Sequence, residues 1–115
     1  MAKFHRMLGQ EVNAQKYDVI LAEFIQAVDA VLWNEQKGAW FDFNTKSKAQ
    51  NVQFYPSNVA PLWAECYDQT LVRQKKLREK IMAVIDYMEN HKAFQYPGGV
   101  PTSLVRSNQQ WDFRY

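Results

Sequence analysis

Between Asn13 and Val31 the apolar residues Tyr17, Leu21, Phe24, Val28 and Val31 recur at spacings of four, three, four and three. That is the period of one helix face. Ile20, Ile25 and Leu32 widen the stripe, while Asp18, Glu23, Gln26 and Asp29 fill much of the rest. The pattern predicts an amphipathic helix packed on a partner, with Asn13 as its N-cap. A second such pattern predicts a helix over Thr70 to Asn90. Leu77, Ile81, Val84, Ile85 and Met88 mark its inner face. Arg73, Lys75, Lys76, Arg78, Glu79, Lys80 and Asp86 mark its outer one. At the start, Met1 to Leu8 reads as the last turns of a helix, with Phe4 and Leu8 one turn apart and Gly9 as its stop. A chain that opens in mid-helix without a cap suggests a boundary that is not a natural domain edge.

The connections are less regular. Trp33 ends the first long helix, Asn34 to Gly38 is a polar turn, and Ala39 to Phe43 reads as a brief strand or extended segment. Asp42 lies between two phenylalanines. It is either a carboxylate of raised pKa with a catalytic role or one held by backbone donors. Asn44 to Gln53 reads as an exposed, mobile polar linker. After an extended Val52 to Pro56, Ser57 or Asn58 caps a short helix with Pro61 in its first turn. Leu62, Trp63 and Cys66 are expected to pack inward, and the Asn58 amide could instead serve a ligand. Long helix, aromatic connector, long helix and Gly/Pro loop alternate as in an array of helical hairpins. Two incomplete hairpins leave an apolar face uncovered.

Composition narrows the function classes. The chain has 115 residues, one domain's worth at most, with 47% hydrophobic and 23% charged residues. A net charge of +2 is too small to argue for nucleic acid or an anionic membrane. The basic run Arg73 to Lys80 lacks interleaved aromatics and reads as a solvated face. Cys66 is the single cysteine, which excludes an internal disulfide and a Cys-rich zinc site. Its apolar neighbours suggest a buried, inert thiol. His5 and His91 have no metal-ligand partner at helical spacing, so no metal and no cofactor are expected. No signal peptide and no membrane-spanning run is visible. The aromatic content of 15% is high and fits either a ring-stacking site or an aromatic core.

The strongest chemical signal is the stretch from Tyr96 to Asp112. Pro97, Gly98, Gly99 and Pro101 shape a loop that can be held closely over another surface. It delivers Gln109, Gln110, Trp111 and Asp112 side by side. A planar aromatic covers the C–H face of a sugar, while amides and a carboxylate take its hydroxyls in paired hydrogen bonds. The alternative is a buried tryptophan with its N–H satisfied.

Pro97 to Leu104, followed by Gln109 to Phe113, resembles the trehalase family of glycoside hydrolases in its animal form. That family has a Gly-Gly-Ile/Val-Pro-Thr-Ser run before a Gln-Trp-Asp-x-Pro-x-x-Trp signature. Val31 to Phe43 resembles its Leu-Trp-Asn-x-x-x-Gly-x-Trp-x-Asp-Tyr run, and Phe54 to Tyr67 its Tyr-Pro-Ser-Asn-x-x-Pro-Leu-Trp run. The likeness stops inside the signature, where Arg114 and Tyr115 stand in place of the expected proline and tryptophan.

The resemblance implies an all-α fold: residues 1–115 as one partial catalytic domain, a segment of an (α/α)6 barrel, incomplete as given. It implies trehalose as substrate, cleaved to two glucoses with inversion. Animal members are commonly secreted or membrane-anchored. Inversion needs two carboxyl groups roughly 6.5–9.5 Å apart. The family's acid, an Asp in Gly-Trp-Asp-x-x-x-Arg, and its base, a Glu near a glycine-rich stretch, have no counterpart here. No catalytic residue is therefore assigned. Gln110, Trp111 and Asp112, supported by Gln109, are expected to bind substrate. The rest of the barrel, or self-association, is expected to cover the apolar face. The competing reading is a non-catalytic helical module that binds sugar or protein.

Overall fold

The computed structural model describes residues 1–68, 70, 76–105 and 108. Helix α1 (Ala2–Met7) and helix α2 (Glu11–Leu32) are followed by two hairpins of two-residue strands. Strand β1 (Trp33–Asn34) pairs antiparallel with β2 (Ala39–Trp40), and β3 (Phe43–Asn44) with β4 (Ala49–Gln50). A 3-10 turn (Pro56–Val59) runs into the short helix α3 (Ala60–Trp63), and α4 (Leu77–Asn90) ends in a second 3-10 turn (Ala93–Gln95). The described chain is predominantly helical.

Arg6 ties α1 to α2 through Asp18 and, at 3.5 Å, through Glu11. His5 stacks on Tyr17 with ring centroids 5.1 Å apart. Helix α2 begins earlier than expected, and Asn13 is not its cap. It lies inside the first turn, with its amide 3.4 Å from Gln10 Oε1, and Gln10 takes the cap position without a side-chain bond. The expected buried stripe of α2 also differs. Ala14, Ile25 and Val28 are buried, whereas Leu21 and Phe24 are 52% and 59% exposed. The described partners of α2 cover one flank of its apolar face and leave the other open.

The expected mobile linker is a built hairpin. Asn44 Oδ1 accepts the backbone N–H groups of Lys46 and Ser47, and Lys48 closes the tip at a φ of 56°. At its far end Gln50 donates to the carbonyls of Val31 and Leu32 at 3.1 and 3.0 Å and accepts the Asn34 amide at 2.7 Å. The last carbonyls of a helix lack intrahelical partners, and here a side chain 18 residues downstream of Leu32 supplies one.

The region after β4 needs four further corrections. Neither Ser57 nor Asn58 caps a helix by its side chain. Asn58 is buried and donates to Gln53 O and to Tyr87 Oη, both at 2.8 Å. Trp63 points outward at 88% exposure, while Leu62 and Cys66 do pack on the core. Lys80, expected on the outer face of α4, has a side chain only 9% exposed, and Ile85, expected inside, is 36% exposed. Thr70 precedes α4, and residues 71–75 lie outside the described residues.

Two clusters form the core. Ala39, Phe41, Phe54, Tyr87, Met88 and Ala93 make the first, and Val28, Trp40, Tyr67 and Val84 the second. Val59 packs against both.

Candidate functional site

The three sequence motifs meet in the first cluster. Ala39 and Phe41 come from the aromatic connector, Phe54 and Val59 from the middle run, and Leu104 from the Gly/Pro loop. Tyr87 of α4 is the residue they share. Phe41 meets its ring edge-on, with centroids 5.7 Å apart, and Phe54 stacks at 5.9 Å. The Asn58 amide supplies the buried hydroxyl with its hydrogen bond.

The loop is seated by this cluster. Gly99 N–H closes a turn on Tyr96 O at 3.1 Å, with Pro97 preset for its first corner and Gly99 at a φ of 102°. Pro101 is buried. Ser103, 1% exposed, donates its hydroxyl to Val105 O at 2.7 Å. The chain therefore leaves the core at a fixed point a few residues before Gln109, Gln110, Trp111 and Asp112. Those four expected binding residues lie outside the described residues, as does the rest of 106–115 apart from Asn108.

The second cluster holds a charge pair. Asp29 Oδ1 accepts Trp40 Nε1–H and Lys80 Nζ, each at 2.9 Å, and Oδ2 accepts the backbone N–H of Asp68 at 2.9 Å. The Lys80 ammonium stands over the Trp33 and Trp40 rings, 4.3 and 5.0 Å from their centroids. Both tryptophans belong to the aromatic connector, so this pair orients that motif on α2 and α4. A cleft of about 420 Å³ opens beside it, lined by Asp29, Trp33, Glu35, Asp68, Glu79 and Lys80. Trp33 Nε1 donates to Glu35 at 2.6 Å, and Asp68 holds Thr70 by its N–H and hydroxyl. Those Thr70 hydrogen bonds keep the Asp68 carboxyl below its usual range. The Asp29 oxygens are already taken up by these three donors, which makes it a scaffold carboxylate.

Other candidates resolve simply. Asp42 is exposed at the rim of a shallow groove with Thr45, Lys46 and Asn51. Its backbone carbonyl accepts from Asn51 N–H at 2.8 Å. Burial, aided by the Asp29 charge, pushes the Cys66 thiol up, against a role as nucleophile. Among the described residues, no group of three or more His, Cys, Asp or Glu side chains could hold a metal ion.

Tyr87, Asn58 as a bridge, and the Asp29–Lys80 pair escape the sequence reading. Their signals were there: Tyr87 follows Val84 by three residues, and Lys80 lies three after Leu77 and four before Val84. Burial raises the Tyr87 phenol above its ordinary range, against the opposing effect of the Asn58 hydrogen bond. The native state thus holds that proton more tightly than the unfolded chain. Its contribution to stability is complete below a pH of about 10 and is lost as pH rises through the higher native value. Tyr87→Phe is expected to cost about 1 kcal/mol at neutral pH, since Asn58 keeps Gln53 O as a partner, and to flatten the alkaline fall. Urea denaturation across pH 7 to 11 checks both.

The class that the fold and site define is a segment of a helical domain whose aromatic connector helps seat a Gly/Pro loop. The trehalase family model matches residues 1–115, and the chain belongs to that family. It is 41% identical over 113 residues to human (Homo sapiens) trehalase, 39% to that of the rabbit Oryctolagus cuniculus and 35% to that of the honeybee Apis mellifera. Each alignment takes in 98% of this chain but only 17–18% of the relative. The chain therefore spans less than a fifth of the length of those relatives.

Proposed function

We propose that the chain is part of an α,α-trehalase, an inverting glycosidase that hydrolyses trehalose to two glucose molecules. The family match over the whole chain carries this reading. The meeting of its three motifs around Tyr87 supports it. In this reading α1, α2 and α4 belong to an (α/α)6 barrel, and the remaining helices of the barrel cover the open flank of α2. Trp111 covers the C–H face of a glucose unit. Gln109, Gln110 and Asp112 take its hydroxyls. Both catalytic carboxylates come from outside these 115 residues, because the family's acid and base motifs have no counterpart in this sequence.

A chimaera tests this. The matching segment of human trehalase is replaced by residues 1–115, and glucose release from trehalose is followed. Hydrolysis is expected, with Trp111→Ala lowering kcat/KM about 100-fold as a stacking and orienting contact is lost. A well-folded but inert chimaera would overturn the assignment. The isolated chain is expected to release no glucose above background. Release would make Asp42, Glu65 and Asp112 the catalytic candidates.

A further inference from the structure

The Gly/Pro loop is held at its start by the turn from Tyr96 to Gly99 and by buried Pro101. Two further features govern how it ends. Ser103 is 1% exposed, and its hydroxyl donates to the Val105 carbonyl, two residues on, at 2.7 Å. Leu104, between them, packs on the Tyr87 cluster. Asn108 then stands at a φ of 63°. That is the left-handed region, which non-glycine residues enter at a cost and asparagine enters more readily than most. Asn108 is exposed, so burial of its side chain does not account for the conformation. Backbone held in such a region gathers at ligand clamps and similar functional places. Gln109 is the next residue, and Trp111 lies three beyond Asn108.

We propose that Ser103 and Asn108 are positioning residues for the sugar-binding stretch Gln109, Gln110, Trp111 and Asp112. Ser103 fixes where the chain leaves the core. The left-handed bend at Asn108 sets the heading with which it enters Gln109. Both act through those four side chains, so the inference rests on the trehalase reading and the binding roles given there. Leverage makes the two points matter. Trp111 is six residues beyond Val105, a reach of at most about 20 Å. A rotation of a few degrees at the base of such an arm moves its end by about 1 Å, and a misplacement of that size can lower turnover on the order of 100-fold.

The trehalase chimaera carrying residues 1–115 is the test, with far-UV circular dichroism and a thermal melt to show that each variant is folded at the assay temperature. Ser103→Ala and Asn108→Ala are each expected to lower kcat/KM about tenfold, part of the range that misplacement can cover. Asn108→Gly, which enters the left-handed region freely, is expected to stay within about twofold of the parent. On a Trp111→Ala background the two alanine changes should each cost less than about twofold, because residues that act through one group are not additive. A merely structural role would give the same loss on both backgrounds, and that result would overturn the proposal. So would Asn108→Gly as damaging as Asn108→Ala, or alanine variants as active as the parent. If Ser103→Ala does not fold, exposed Asn108 decides by the same criteria. An active chimaera indifferent to Asn108→Ala sinks the positioning role alone. A folded but inert chimaera sinks the trehalase reading, and the positioning role with it.

Discussion

Replacing Asp29 with alanine is expected to cost about 3 kcal/mol, the typical penalty for removing one partner of a buried ion pair. The side chains of Asp29 and Lys80 are only 17% and 9% exposed, so little water reaches the abandoned ammonium. The same substitution strips the acceptor from Trp40 Nε1 and from the backbone of Asp68. Lys80→Met is expected to be milder. It leaves the carboxylate two of its three donors and keeps an apolar stem between Trp33 and Trp40. A double variant, Asp29→Leu with Lys80→Met, should recover part of the loss, because two matched apolar groups remove both desolvation terms. Chemical denaturation of all three together with Asp29→Leu alone, with Trp fluorescence as the probe, closes the cycle and gives the coupling energy. A loss below about 1 kcal/mol for Asp29→Ala would mean that the pair is solvated like a surface bridge.

Gly38→Ala is expected to cost at least about 2 kcal/mol, the range for overpacking against a fixed neighbour. Gly38 sits at a φ of 71°, and a Cβ there would stand 2.7 Å from the carbonyl oxygen of Ala83 in α4. That oxygen belongs to a helix backbone and cannot swing aside. Gly9 provides the control. It has nearly the same φ, 69°, but nothing within 4 Å of an added Cβ. Gly9→Ala should therefore show the backbone term alone, about 1 kcal/mol. Thermal melts of the two variants separate strain from collision. Equal losses would show that α4 shifts to make room.

Local signals carried the elements well. The 3.6-residue periods located α2 and α4, Gly9 and Gly38 fell where the chain turns with positive φ, and the aromatic connector formed its short hairpin. What periodicity could not supply was the choice of flank. An apolar arc as wide as Tyr17 to Val31 serves two neighbours, and only the tertiary structure says that Ile25 and Val28 face one while Phe24 faces the other. Polar residues misled for a related reason. Asn44 to Gln53 is hydrophilic enough for a loop, yet Gln50 is drawn in by the unpaired carbonyls at the end of α2. Lys80 reads as solvated until Asp29 and two indole rings are brought round it. Of the site, the motifs were legible in the sequence, but not the cluster in which they meet. The hub, Tyr87, was not, because its partners lie 29 to 46 residues away.

Val59 touches both core clusters, one built on Tyr87 and the other on Trp40 and Val84. That makes it a hinge pin of cooperativity. A cluster that opens must release Val59, and its neighbour then loses a wall. Connector and α4 are accordingly expected to exchange their amide hydrogens in one shared opening event. The N-terminal turns of α2, which bury little beyond Ala14, exchange earlier and alone.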